Sequence, residues 1–141
     1  MRAASVLLAA AACAPAKAPI ESCADDLSGI WAAADGRRFH LVERKDRLEL
    51  YPLFDPTGPD KQRQPWLTPA KTELEREGAA RVGRSTLQAQ GRTLCTIATP
   101  ARLEACAGDR AVLTVDLAPE VDLASCSARR RDLPKVEIRR L

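Results

Sequence analysis

The sequence lacks most of the residues from which catalytic and metal sites are built. His40 is the single histidine in 141 residues, and no CxxC or HxxxH spacing is present, which excludes the common zinc ligand sets. A G-x-S-x-G nucleophile elbow, an H-E-x-x-H motif and a glycine-rich phosphate loop are also missing. We therefore predict a protein that is not an enzyme and that holds no metal or cofactor.

Long apolar runs, aromatic residues and a strong net charge are lacking as well. The apolar stretch at residues 3–12 has about half of the roughly 20 residues that a bilayer-spanning helix needs. Aromatic residues make up only 4% of the chain, so few large side chains are available for a core. The formal net charge of +3 is too small for a chain that binds nucleic acid as a whole, and we predict no nucleic-acid partner.

The N-terminus has the pattern of an export signal. Arg2 precedes the apolar stretch, which ends in small residues and Cys13. This ending resembles the lipobox of bacterial lipoproteins, in which the cysteine is diacylated and becomes the new N-terminus. The resemblance implies a signal peptide over residues 1–12 and lipidation of Cys13. A cut before Lys17 is the alternative, because small residues also precede that position.

Residues 13–22 are rich in proline and alanine, which is typical of an extended tether. They would link the anchor to a single domain over residues 23–141. By resemblance to enteric lipoproteins, Ala14 after the cysteine favours the outer membrane. We therefore expect an exported outer membrane lipoprotein facing the periplasm or the surface, or a periplasmic or secreted protein if the second cut is used.

Four cysteines follow the signal, namely Cys23, Cys95, Cys106 and Cys126. An even number of cysteines in an exported chain predicts two disulfides. Three pairings are open. We favour Cys95 with Cys106, which flank an expected hairpin, and Cys23 with Cys126, which would tie the start of the domain near its end.

From Leu27 onward, short runs of alternating apolar and polar residues are separated by turn residues, as in β-strands. Asp35-Gly36 is a strong hairpin signal, Gly83 is a candidate bulge, and Pro100 is expected to separate two strands. About eight strands joined by short turns predict an all-β fold. The expected architecture is a small antiparallel meander barrel or barrel-like sheet, stapled by the disulfides.

The segment Leu27-Ser28-Gly29-Ile30-Trp31 opens the first strand. It resembles the G-x-W start of lipocalins and related calycin barrels. The resemblance implies that Trp31 plugs the closed end of the barrel beneath a basic side chain of the last strand, for which Arg139 and Arg140 are the candidates. A lipocalin-like interior would bind a small apolar ligand; a filled core without ligand is the alternative. The interior candidates are Phe39, Leu41, Leu48, Leu50, Leu113 and Val115.

Two surface features point to partners instead. The proline-rich segment 55–69 contains Trp66, a possible partner contact that is equally able to fold back on the core. Residues 127–141 carry six basic and two acidic side chains, a net charge of +4. Their Arg129-Arg130-Arg131 run suits an anionic lipid headgroup, lipopolysaccharide or an acidic partner, or is a solvated loop.

These features predict an exported, lipid-anchored, noncatalytic binding or envelope protein. Its expected partners are the membrane, through the N-terminal lipid, and a small apolar ligand or an envelope protein. The alternative is a protein-interaction module, for instance an inhibitor of an extracytoplasmic hydrolase that acts through residues 55–69.

Overall fold

A computed structural model describes residues 18–53, 70–91 and 93–141. These residues form ten β-strands and no helix. Eight of the strands close into an antiparallel barrel in the order β1-β10-β7-β6-β5-β4-β3-β2, which confirms the expected all-β meander barrel. The strands are β1 (Gly29–Ala33), β2 (Arg38–Glu43), β3 (Leu48–Leu53), β4 (Lys71–Glu77), β5 (Ala80–Gln90), β6 (Leu94–Ala107), β7 (Arg110–Thr114), β8 (Val121–Asp122), β9 (Ser127–Ala128) and β10 (Val136–Arg140).

Every barrel strand pairs with its neighbour in sequence, except that β8 and β9 intervene between β7 and β10 and form a small sheet of their own. Closure is made by β10 against β1, where Arg140 lies opposite Trp31. Alternation sets the two faces of the wall: in β2, Phe39 and Leu41 are buried whereas Arg38 is exposed. Closure pairs both edges of the sheet, so the barrel has no continuous free edge.

The predicted break at Pro100 is wrong. β6 is one strand of 14 residues, and Pro100 lies inside it opposite Arg84 of β5. On its other side, β6 is paired with β7 only from Arg102 onward. Pro100 therefore lies where β6 has a single partner among the described residues, and a missing N–H is tolerated at such an edge position.

The predicted bulge at Gly83 is wrong too. Gly83 pairs regularly with Leu74 of β4 and Ala101 of β6. A Cβ atom there would lie 1.9 Å from the backbone oxygen of Glu73, so the glycine serves a close approach of two backbones. The irregular register occurs in β6 between Glu104 and Ala107, and Ala105 within it has a φ of 52°.

Two disulfides are present, as expected, but the favoured pairing is wrong. Cys23 is bonded to Cys106, and Cys95 to Cys126. The reason is the continuity of β6, which contains both Cys95 and Cys106. Cys106 lies eleven positions after Cys95 in the same strand, about 36 Å away at ~3.3 Å per residue, far beyond the ~7 Å that a disulfide spans between Cα atoms.

The barrel has two unlike ends. One end, the base, consists of residues 18–28 and the turns that join β4 to β5 and β6 to β7. Ile20, inside the predicted tether 13–22, is buried there, and its carbonyl accepts a hydrogen bond from the Gly108 N–H at 2.7 Å. From the other end projects the arm, residues 87–97 of the β5–β6 hairpin, which extend beyond the pairing of β5 with β4.

Each end has its own apolar cluster. The main cluster contains sixteen buried residues and fills the barrel from the base, with Trp31, Phe39 and Leu103 among its largest members. The second cluster contains five buried residues of the arm and its surroundings, packed against Leu117, Val121 and Ala128. The excursion between β7 and β10 thus covers the inner face of the arm.

Candidate functional site

Trp31 of β1 packs against the base and is fully buried. Its indole Nε1 donates a hydrogen bond to the Leu27 carbonyl at 2.9 Å. The Arg140 guanidinium lies over the ring, 5.2 Å from its centroid, and also donates to the Asp26 carbonyl. Of the two candidate arginines, Arg140 therefore contacts Trp31, whereas Arg139 is exposed and lies 3.6 Å from Glu137.

A second arginine of the base, Arg81, has a fully buried side chain. It donates to the Cys23 carbonyl at 2.6 Å, to the Asp25 carbonyl at 3.3 Å and to the Glu43 carboxylate at 2.7 Å. Burial lowers the pKa of Arg81, and the Glu43 charge opposes that shift. Together with the Cys23–Cys106 disulfide, Arg81 fixes the segment that closes the base.

The barrel interior changes character with distance from the base. Of the six predicted interior residues, five are buried aliphatic or aromatic side chains, and Val115 is partly buried against them. Farther along the wall formed by β4, β5 and β6 lies a hydroxyl row: Thr72 is opposite Ser85, and Ser85 is opposite Thr99. All three side chains are buried, and the hydroxyls of Thr72 and Ser85 have no hydrogen-bond partner among the described residues.

The outer wall carries a compact ion network around Glu49, which is only 3% exposed. The Tyr51 hydroxyl donates to its carboxylate at 2.6 Å, and Arg44, Arg47 and Lys71 lie within 3.6 Å. The Tyr51 hydrogen bond and the charge of Arg44 lower the pKa of Glu49 to about 2. A carboxylate this acidic stays ionised near neutral pH, so it is a poor general base and serves to hold the wall together.

A groove of about 1240 Å³ runs beside β6 where that strand extends past β7. We call it the basic groove, because five arginines line it against two aspartates. Arg84 and Arg102 come from the outer faces of β5 and β6, and residues 129–131, in the segment that follows β9, form another part of its wall. Arg131 is bound to the Asp116 carboxylate through two hydrogen bonds of 2.7 and 3.0 Å.

Several predicted residues are not brought into these sites. His40 is exposed on the outer wall opposite Tyr51. Cys13 and Trp66 lie outside the described residues, as do the segment 55–69 and the signal peptide. The part of the chain that is described contains no cluster of three potential metal ligands and no helix long and apolar enough to cross a membrane.

The geometry defines a class of protein: a closed eight-stranded antiparallel meander barrel, compatible with a lipocalin-like fold, with a tryptophan and an arginine at its sealed base. Comparison of the chain with protein-family models, curated proteins and solved structures found no match. The sites described above therefore have to be interpreted from their own chemistry.

Proposed function

We propose that this protein is an exported, lipid-anchored, noncatalytic binding protein of the cell envelope, whose lipocalin-like barrel binds a small and largely apolar ligand. The two disulfides fit an oxidising compartment, which is compatible with export. The anchor would be a lipid on Cys13 in the outer membrane.

The observation that carries the proposal is the hydroxyl row. A buried hydroxyl without a partner costs about 1–3 kcal/mol, so such groups normally meet a water molecule or a ligand. Thr72 and Ser85 are opposite each other on neighbouring strands, and neither hydroxyl is hydrogen-bonded to any residue that the structure describes. Leu50 lies directly opposite Thr72, and Leu74 is two residues nearer the base along β4; both side chains are buried and apolar. This combination suits a ligand with one polar group and an apolar body.

The test is solvent extraction of the protein isolated from its own cells, followed by mass spectrometry of the extract. We expect one apolar compound from the wild type and much less from the double variant Thr72→Val, Ser85→Ala. Thr86→Val is the matched control, because Thr86 is exposed on β5 and does not line the groove beside β6, and it should retain the compound. A wild-type extract that contains no bound compound would contradict ligand binding and would favour the alternative, a filled core without ligand.

A further inference from the structure

The basic groove has an excess of positive over negative side chains, and Thr99 of the hydroxyl row is part of its lining. Of its five arginines, Arg102 is paired with Glu104 at 2.9 Å and Arg131 with Asp116. Arg129 lies 3.6 Å from Glu120, both of them highly exposed. Within the described residues, Arg84 and Arg130 have no carboxylate within salt-bridge distance. The groove therefore presents free guanidinium groups to an anion.

The wall that carries residues 129–131 is held in place rather than free. Cys126, just before it, is joined to Cys95 of the arm by a disulfide. Arg131 binds the buried Asp116 carboxylate and also donates to the Ala118 carbonyl at 3.0 Å. A charged wall that is already ordered loses little conformational entropy when an anion binds.

The chemistry of the groove favours phosphate over carboxylate. One guanidinium fork matches the two oxygens of a carboxylate, as Arg131 does with Asp116. A phosphate group presents three acceptor oxygens and more charge, so it can accept from arginines on two walls at once. Arg84 belongs to β5 and Arg130 to the segment that follows β9, so the two arginines come from different parts of the groove lining.

The size and lining of the groove favour a ligand larger than phosphate. Its volume of about 1240 Å³ exceeds that of an ordinary small-molecule pocket of ~300–1000 Å³. Hydroxyl side chains of Thr96, Thr114 and Ser127 line it together with the apolar surfaces of Ala98 and Pro100. Hydroxyls hydrogen-bond to sugar hydroxyls, and small apolar side chains accommodate the face of a sugar ring.

We propose that the basic groove binds a phosphorylated saccharide that carries at least two phosphate groups, of the kind found in glycolipid headgroups. The disulfides indicate an oxidising compartment, where nucleic acid is not the expected source of phosphate. Arg84 and Arg130 bind the phosphate groups, while Arg131 and Asp116 position the wall.

The test is titration calorimetry of the full mature protein with an acyl-free glucosamine disaccharide bisphosphate, and with the same disaccharide without phosphate. We expect binding of the bisphosphate only, weaker at high salt. Arg84→Gln and Arg130→Gln should each weaken it about tenfold, as the loss of one charge-assisted hydrogen bond predicts. Arg38→Gln is the matched control, because Arg38 is an exposed arginine on β2, across the barrel from β6, and it should leave affinity unchanged.

Two further probes distinguish other anionic partners. A decaglutamate peptide represents an acidic polypeptide, and vesicles with one quarter phosphatidylglycerol in phosphatidylcholine represent a lipid surface. Tighter binding of either probe than of the bisphosphate, lost in the same two variants, would overturn the proposal. So would bisphosphate binding that survives both arginine substitutions, or no bisphosphate binding at all.

Discussion

The base and the arm use the same residue types for different purposes. Each contains one disulfide and several arginines, but the base cluster has sixteen buried residues and the arm cluster five. In the base, Arg81 and Arg140 are directed at backbone carbonyls, and the Arg81 side chain is fully buried. Beside the arm, Arg129 and Arg130 are exposed. Arg81 and Arg140 therefore hold the base closed through hydrogen bonds to backbone carbonyls, whereas Arg129 and Arg130 keep their side chains in contact with solvent.

The contribution of the disulfides differs accordingly. Cys23–Cys106 closes a loop of 83 residues around a core that is already large, whereas Cys95–Cys126 closes 31 residues around a small cluster. In the chain-entropy model the longer loop gains only about 1 kcal/mol more. The arm therefore depends on its disulfide for a larger share of its stability than the base does.

The largest expected effect on stability comes from truncating Trp31, which packs against the base. Trp31→Ala should lower the free energy of unfolding by about 3–5 kcal/mol, because it opens a cavity beneath Arg140 and removes the main cluster's largest side chain. Ile97→Ala in the arm should cost less, near the ~2 kcal/mol lower end for such truncations, because the arm can collapse around the gap. Urea denaturation measures both. An equal loss of unfolding free energy in the two variants would contradict the proposed difference between base and arm.

Removal of the arm disulfide should have the next largest effect. Cys95→Ser with Cys126→Ser should destabilise the arm by about 2–4 kcal/mol through lost loop closure. Amide exchange should accelerate in the arm and in residues 126–133, with the barrel strands at the base little changed. Cys23→Ser with Cys106→Ser is the comparison and should lower the protection of the whole barrel. Barrel-wide acceleration in the arm variant would show that the two ends unfold as one unit.

The smallest expected effect is the loss of stability in acid when Glu49, in the ion network of the outer wall, becomes protonated. The pKa of Glu49 is lowered from 4.5 to about 2, chiefly by the Tyr51 hydrogen bond. A lowered folded-state pKa gives stability that is present above pH 4.5 and is lost as the pH falls through about 2. Glu49→Gln should therefore reduce the thermal midpoint at pH 7 much more than at pH 2, where the folded-state carboxylate is already about half protonated. A difference that persists unchanged at pH 2 would assign the effect to packing instead.

The alternation of apolar and polar residues predicted which side chains of the barrel wall point inward. It did not predict which distant residues become neighbours when the barrel closes. The inward orientation of Phe39 and Leu41 depends only on the two-residue period of a strand, so the sequence alone was enough to predict it. In β5, the two-residue alternation that places Leu87 and Ala89 inward also places Arg81 and Ser85 inward. The sequence prediction did not extend the alternation to these two polar residues. The partners of Arg81 lie more than 35 positions away in the chain, so only the barrel topology identifies them.

The disulfide pairing and the basic groove were missed for one shared reason. Both depend on β6 continuing through Pro100, which places Cys95 and Cys106 at opposite ends of the molecule. The same continuity carries β6 past β7 and makes room for residues 126–133 beside it. A proline is tolerated inside a strand where the strand has a partner on only one side, and it is disfavoured where both sides are paired. A single sequence does not show which case applies.

The most direct test of the division between base and arm is amide hydrogen exchange of the intact protein, with and without the glucosamine disaccharide bisphosphate. We expect slow exchange in β1, β7 and β10 in both samples. Residues 126–133 and the part of β6 that extends past β7 should gain protection only when the bisphosphate is present. Protection gained at the base, or an arm that exchanges as slowly as the base without ligand, would contradict this division of the barrel.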